Sequence, residues 1–118
     1  MRESISPQER IRKRKDFLFL YKKGNRYRGR YSSLIYLPNN LEFSRMAVVA
    51  SKKIGNAVMR NRIKRWMRDL FRRNKDLLKN PVDIIIVAKK EAQDASWSKL
   101  KEDYVAAIET VFQKGLAR

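Results

Sequence analysis

The stretch VMRNRIKRWMRDLFRRN, residues 58–74, combines a helical apolar pattern with a dense run of basic side chains. On a helix its apolar residues form one stripe, which predicts a core-facing side made of Met59, Ile63, Trp66, Met67, Leu70 and Phe71. Seven basic residues lie between Arg60 and Arg73, and Asp69 is the single acid among them. Like charges four residues apart destabilise an isolated helix by about 0.2–0.5 kcal/mol per pair. A sequence that keeps this repulsion therefore indicates a polyanionic partner, whose negative charges would neutralise the helix.

The opposite side of this helix is a candidate nucleic-acid-binding surface. Arginine outnumbers lysine six to one here, which suits planar, bidentate recognition of phosphates and base edges. Lys52 and Lys53 precede a glycine turn at the helix N-terminus, where free N–H groups favour anions. The pattern does not distinguish RNA from DNA. The helical candidates are Arg60, Asn61, Arg62, Lys64, Arg65, Arg68 and Arg72.

Working outward, the flanking residues predict where this helix begins and ends. Asn56 is a plausible N-cap, and we expect the helix to continue to about Lys75. Asn80-Pro81 then closes the segment. The run from Val82 to Ala88 is nearly all apolar, as is typical of a strand covered on both faces.

The remaining elements complete an α+β fold. Ser6-Pro7-Gln8-Glu9 has the form of a capping box, which predicts a helix from here to Lys23 with Gly24 as its left-handed stop. Residues 26–37 and 45–51, separated by turn residues 38–40, predict antiparallel strands. Apolar residues at helical spacing predict a last helix that stops at Gly115: Trp97, Leu100, Tyr104, Ile108, Val111 and Phe112. We therefore expect an α+β two-layer sandwich in the order helix, strands, helix, strand, helix, as one domain over residues 1–118.

The first predicted helix is apolar in five consecutive positions, from Phe17 to Tyr21. These positions wrap the whole circumference, whereas a surface helix has one stripe to bury. We expect Ile11 and Leu18 to face the core and Phe17 and Tyr21 to form a second ridge beside a basic groove. Such aromatic residues are suited to stacking on single-stranded bases. The alternative is that all five pack into the core.

Composition narrows the function classes. The chain has 118 residues, no cysteine and no histidine, which excludes disulfides, thiolate chemistry and imidazole acid–base catalysis. No apolar run approaches the length of a membrane span, so we expect a cytoplasmic protein with no membrane association. The net charge of +17 is concentrated in residues 1–30 and 52–75, which indicates a polyanionic partner. No phosphate-binding glycine loop or metal-ligand spacing appears, so we expect no catalytic residue and no metal site in the protein itself.

The segment SKKIGNAVMRNRIKR, residues 51–65, resembles the signature of the protein subunit of bacterial ribonuclease P. The resemblance extends to RKRKDF and the following Gly24, to the strand DIIIVAKK at residues 83–90, and to the order of the elements. It implies a sheet of about four strands with a left-handed β-α-β crossover through the arginine-rich helix. One departure is Ser32-Ser33, in a strand where the family pattern favours bulkier side chains.

The resemblance also implies a function. In this family the RNA subunit is the catalyst, and it removes the 5′ leader from precursor tRNA with magnesium held mainly by the RNA. The protein would bind the catalytic RNA through its arginine-rich helix and hold the leader in a cleft beside the first helix. No other protein would be required. The resemblance implies Phe17 and Tyr21 for the cleft. We also expect Arg12 and Lys13 there, beside the apolar run, and Tyr31 and Ile35, which lie two residues from Ser33 and so on the same face of the strand.

Two rival interpretations stay open at this point. The chain could be a non-catalytic RNA-binding protein of the ribosomal type, since many such proteins share a basic helix on a small sheet. It could also be a stand-alone nuclease, which the missing base and metal ligands disfavour.

Overall fold

The computed structural model describes residues 6–113 of the chain. Its main elements are α1 (Arg14–Lys23), β1 (Asn25–Arg28), β2 (Ser32–Pro38), β3 (Arg45–Val49), α2 (Ala57–Arg73), β4 (Val82–Ala88) and α3 (Trp97–Ile108). Single 3₁₀ turns lie at Pro7–Glu9, Lys52–Ile54, Lys75–Leu77 and Lys90–Asp94, and a π-helical turn at Glu109–Gln113 follows α3. The predicted stop at Gly115 lies outside the described residues. The α+β class and the element order are confirmed.

The four strands form one mixed sheet in the order β1-β2-β4-β3. β1 and β2 pair antiparallel, as do β2 and β4, whereas β3 and β4 run parallel. The unit β3-α2-β4 therefore joins neighbouring parallel strands, and it is the β-α-β crossover that the resemblance implies. The expected direct pairing of residues 26–37 with 45–51 is wrong, because β4 lies between them. Residues 26–37 also divide into two strands, joined by a turn at Gly29–Tyr31.

β4 is the central strand, as its composition predicts. Ile84, Ile85 and Ile86 are fully buried, with alternate side chains on opposite faces of the sheet. Ile84 and Ile86 belong to the larger core, which α2 and α3 cover, and Ile85 belongs to a smaller core under α1. The sheet consequently has helices on both faces. This differs from the expected two layers in that α1 forms a third, partial layer.

The N-terminal segment differs from the helix expected over residues 6–23. Ser6 and Glu9 do form the capping interaction, with the Ser6 backbone N–H donating to the Glu9 carboxylate at 2.9 Å, but only one 3₁₀ turn follows. Residues 10–13 are not helical, and the Ile11 N–H donates to the Met46 carbonyl of β3 at 2.9 Å. This hydrogen bond to the sheet, together with burial of Ile11, outweighs the local helix signal.

Helix α1 ends at Gly24 as expected, although for a different reason. Gly24 has φ −70° and ψ 152°, which is extended and not left-handed. A Cβ at this position would stand 2.6 Å from the Leu20 carbonyl oxygen and 2.7 Å from Cγ2 of Ile35. The glycine is needed because the chain passes so close to the helix end and to β2.

The core-facing side of α1 was only partly predicted. Ile11 is buried, but Leu18 is 56% exposed and Leu20 is the buried residue of the helix. The expectation for Leu18 is wrong because residues 10–13 are not helical, so Ile11 gives no reference for the direction of α1. The alternative that all five apolar residues pack into the core is also wrong, since Phe19 and Tyr21 remain exposed.

An ion-pair network ties three elements together at one end of the sheet. The Arg45 guanidinium donates two hydrogen bonds to Asp83, from Nε at 2.8 Å and from Nη2 at 2.5 Å. Arg45 also lies 3.6 Å from the Asp16 carboxylate of α1. The Asn39 side-chain amide donates a further hydrogen bond to the Asp83 carboxylate, at 2.9 Å. The hydrogen bonding to Asp83 raises the pKa of Arg45, so this guanidinium keeps its charge.

We expect Asp83→Asn to lower the free energy of unfolding by about 3 kcal/mol, because it leaves the partly buried Arg45 charge without its bidentate partner. Chemical denaturation at neutral pH measures the change. Asp94→Asn is the matched control, since Asp94 is exposed. Equal, small losses in the two variants would contradict a structural role for the network.

Candidate nucleic-acid interface

The N-terminus of α2 is built as the sequence predicts. The Asn56 side chain caps the helix by accepting the Met59 N–H at 2.9 Å. Gly55 has φ +144°, a conformation that favours glycine, and connects this cap to the 3₁₀ turn. Lys52 and Lys53 on that turn are exposed. Two cations therefore lie immediately before the positive end of the helix.

Helix α2 buries the predicted stripe. Ile63, Met67, Leu70 and Phe71 are at most 1% exposed, and Met59 and Trp66 are partly buried against the same core. The remaining circumference carries the polar and basic side chains. Asn61 and Arg65 are exposed, whereas Lys64 and Arg68 are half-buried on the flank of the helix.

Several arginines of α2 already have partners within the chain. The Arg60 guanidinium donates to the Gly55 carbonyl at 2.8 Å and so holds the turn before the helix. Arg72 and Arg73 both pair with Asp69. Arg62 lies over the Trp66 ring, with its guanidinium carbon 5.1 Å from the ring centroid. These contacts fix side-chain directions and neutralise part of the charge.

Among residues 6–113, four predicted residues of α2 make no side-chain hydrogen bond, ion pair or ring contact of this kind, namely Asn61, Lys64, Arg65 and Arg68. Together with Lys52 and Lys53 they form what we call the α2 face. The positive charge of Arg68 is disfavoured in the fold, because partial burial and the nearby charge of Arg10 both lower its pKa. This repulsion is between α2 and the N-terminal segment, whereas the like-charge pairs within α2 that the sequence indicates stay a prediction.

A second surface lies where α1 crosses the sheet. Two open depressions flank it, both containing residues of the smaller core, and together they form what we call the α1 cleft. The first has a volume of about 210 Å³ and is lined by Phe17 with Arg10, Arg12 and Arg68. The second has a volume of about 360 Å³ and is lined by Tyr21, Ile35 and Ser33 with Arg26, Arg28 and Lys89. Aromatic side chains of one helix thus lie between two groups of cations.

The expected cleft residues do not all come together. Phe17, Tyr21, Arg12 and Ile35 line the α1 cleft, whereas Lys13 is the exposed N-cap residue of α1 and lines neither depression. Tyr31 packs into the larger core on the opposite face. The expectation for Tyr31 is wrong because β2 begins at Ser32, so alternation along the strand does not reach it.

The sequence reasoning missed several cations of the α1 cleft. Arg10, Arg26, Arg28 and Lys89 line it, and Arg68 belongs to both surfaces. The concentration of basic residues within residues 1–30 was the available signal, but their positions depend on the sheet order. Of the two serines that depart from the family pattern, Ser33 lines the cleft and Ser32 is 3% exposed.

The described residues contain neither a cluster of possible metal ligands nor a helix that could span a membrane. Among residues 6–113 no three acidic side chains come together as a possible metal site. In the same part of the chain no helix has the length and apolar character needed to cross a bilayer.

Comparison with known proteins gives one consistent family. The model of the family named Ribonuclease P matches residues 5–111. The "Ribonuclease P protein component" of Thermotoga maritima is 37% identical over 94 residues, 80% of each chain. The protein of the same name from Syntrophus aciditrophicus is 45% identical over 86 residues, which is 73% of this chain and 72% of that one.

Solved structures of such proteins have the same fold. The RNase P protein of Staphylococcus aureus superposes with a TM-score of 0.81 at 32% identity, covering 87% of this chain and 94% of that one. The Thermotoga maritima protein gives a TM-score of 0.79 at 30% identity, covering 86% and 96%. At these levels both sequence and fold are shared.

The repulsion between the charges of Arg68 and Arg10 leads to a prediction about the stability of the fold. We expect Arg68→Met, which keeps the aliphatic stem, to raise the free energy of unfolding by about 0.5 kcal/mol at low salt, because it removes a like-charge contact with Arg10. Thermal unfolding at low and high salt measures the gain, which should shrink as salt screens the repulsion. A stability loss in the variant would mean that the charge of Arg68 is satisfied within the fold.

Proposed function

The chain belongs to the ribonuclease P protein family, and on this basis we propose how its two basic surfaces divide the binding of RNA. The family acts as an endoribonuclease in tRNA processing, with the protein as one subunit and an RNA as the other. The chain accordingly associates with the RNA of ribonuclease P. This membership sets aside both rival interpretations, the ribosomal-type binding protein and the stand-alone nuclease.

We propose that the α2 face binds the catalytic RNA. Lys64, Arg65 and Arg68 lie on a helix that is anchored by four buried side chains, and Lys52 and Lys53 lie on the turn before it. Asn61 adds a neutral donor and acceptor beside Lys64 and Arg65 on this surface. Double-stranded and folded RNA presents dense rows of phosphates, which neutralise such a surface with release of counterions.

We propose that the α1 cleft holds the single-stranded 5′ leader of precursor tRNA. The observation that carries this proposal is the position of Phe17 and Tyr21 between two groups of cations. Bases of an unpaired strand can stack on the rings while its phosphates meet arginine and lysine at either end. Paired RNA cannot offer its base faces in this way, because they are already stacked within the helix.

The chemical contribution of the protein would then be binding and orientation. Neutralising leader phosphates lowers the electrostatic cost of bringing precursor and catalytic RNA together, and holding the leader fixes the scissile bond relative to the RNA. Magnesium held mainly by the RNA stays a prediction from the family resemblance. No step is assigned to a metal on this chain, since its described residues do not form a ligand set. Because tRNA processing follows transcription, we also propose that the protein works in the cytoplasm.

Reconstitution tests the proposal as a whole. Purified protein, catalytic RNA, precursor tRNA and magnesium are mixed at physiological salt, and release of the leader is followed over time. We expect stimulation when protein and RNA are both present, with no further protein required. Cleavage by the protein alone, or no effect of the protein on the RNA, would contradict it.

The α1 cleft is tested by replacing Phe17 and Tyr21 together with Ala. We expect precursor tRNA to bind the holoenzyme about 30-fold more weakly or worse, since two stacked bases at roughly 1–3 kcal/mol each contribute at least about 2 kcal/mol together, whereas mature tRNA should be nearly unaffected. Tyr21→Ala alone avoids the partly buried Phe17 and should give a smaller loss in the same direction. Equal losses for precursor and mature tRNA would mean that the rings only support the fold.

The α2 face is tested by replacing Arg65 and Arg68 with Gln. We expect weaker association with the catalytic RNA and a shallower dependence of log K on log salt, by about 0.7–0.9 for each phosphate that the variant no longer neutralises. Lys99→Gln with Lys101→Gln on α3 removes the same charge from a different helix and is the matched control. If both double variants change the salt slope equally, only net charge matters and the α2 face is not a specific surface.

A further inference from the structure

Helix α1 exposes a second apolar surface, on the side turned away from the sheet. Leu18 is 56% exposed and Phe19 is 59% exposed, more than Tyr21 of the α1 cleft at 39%. Successive residues of a helix differ by about 100° in direction, so Phe19 points to nearly the opposite side from Phe17, and Leu18 lies between them. Binding of the leader in the α1 cleft therefore does not explain why the Phe19 ring is exposed.

Exposed cations surround these two side chains. Lys15 lies four residues before Phe19, and Lys22 and Lys23 lie three and four residues after it, so all three are neighbours on the helix surface. The single acid of α1, Asp16, pairs with Arg45 and does not offset them. We call the set of Lys15, Leu18, Phe19 and Lys22 the outer face of α1.

We propose that the outer face of α1 binds unpaired nucleotides of the leader upstream of the segment held in the α1 cleft. A base stacks on Phe19, and the preceding phosphate meets Lys15 and Lys22. Leu18 continues the apolar surface of Tyr21 over the top of the helix, so a strand leaving the cleft finds alternating apolar and basic contacts. This inference rests on the proposed function, because it assumes that the cleft holds the leader.

The charge of the outer face decides between possible occupants. A second copy of this chain would bring the same lysines against one another, with no free acid on α1 to pair with them. An apolar protein surface would bury Phe19 but would leave the lysines desolvated without counter-charge, which costs free energy. Single-stranded RNA supplies both a base face and a phosphate, and both kinds of contact are known to stabilise sequence-tolerant binding.

The leader is favoured over the catalytic RNA because of continuity along one helix. Phe17, Tyr21, Leu18 and Phe19 belong to two consecutive turns, so one strand can contact them all without leaving the surface. The α2 face contains none of these residues and lies on the other helical layer. The two RNA molecules would then meet the protein on surfaces that adjoin at Arg68, which belongs to both.

The test uses the reconstituted holoenzyme and three precursor tRNAs. The first has a short leader that fills only the cleft, the second has the same leader extended upstream by unpaired uridines, and the third has an abasic extension of equal length. We expect the uridine extension to tighten wild-type binding and the abasic extension to tighten it less. In Phe19→Ala the gain from uridines should fall about fivefold or more, which corresponds to about 1 kcal/mol, with binding of the short leader unchanged.

Two further variants separate stacking from other effects. Phe19→Tyr keeps the ring and should keep the gain, whereas Leu41→Ala truncates an exposed apolar residue of the loop between β2 and β3 and should not alter it. An undiminished gain in Phe19→Ala, no gain in the wild type, or an equal gain from the abasic extension would overturn the inference. So would weaker binding of the catalytic RNA alone, or loss of self-association, in Phe19→Ala.

Failure of the proposed function has a different signature. In that case the double replacement of Phe17 and Tyr21 leaves binding of the short-leader precursor unchanged, whatever Phe19→Ala does. If the cleft variant weakens short-leader binding and Phe19→Ala leaves the extension gain intact, only the inference about the outer face of α1 fails.

Discussion

The contact on which the arrangement of this molecule depends is the ion pair between Arg45 and Asp83. It joins the first residue of β3 to the second residue of the neighbouring parallel strand β4, and through Asp16 it extends to α1 on the sheet surface. Taking these charges out of water is costly, so the network is stable only because its hydrogen bonds are bidentate and supplemented by Asn39. Its position holds the start of α1 against the sheet. The two depressions of the α1 cleft lie beside the helix held in this way.

The α2 face shows how a folded scaffold can tolerate self-repelling charge. Asp69 pairs with both arginines of the last turn and offsets one of their two charges, and Arg60 and Arg62 are held by a carbonyl and by an aromatic ring. What remains unpaired in the described chain is the middle of the helix, the part best anchored by buried side chains. Burial of four apolar residues at roughly 1.5–3 kcal/mol each exceeds the few tenths lost for each like-charge pair. The fold can therefore keep a surface whose charge is useful only to a partner.

Structural elements that depend on the local sequence pattern could be predicted from the sequence. Elements and site residues that depend on long-range contacts could not. Helix α2 and its cap at Asn56 followed from periodicity and side-chain chemistry within a few residues. The helix expected before Arg14 failed because the Ile11 N–H bonds to β3, a strand that comes more than thirty residues later. Tyr31 was misplaced for a related reason, since the start of β2 is set by pairing in the sheet. The cleft cations on β1 and after β4 could not be assigned to a site without the strand order.

Helix α1 presents many candidate functional side chains within only ten residues, because few of its side chains are used in the core. Leu20 is its one fully buried side chain, and Phe17 is partly buried against the same smaller core. Its place is fixed at the ends, by Asp16 against Arg45 and by the close passage of Gly24 past Leu20 and Ile35. A helix held at both ends needs few core contacts between them. Its remaining circumference is then free to present aromatic and basic side chains in two directions, and that division lets one short helix meet successive parts of a single strand.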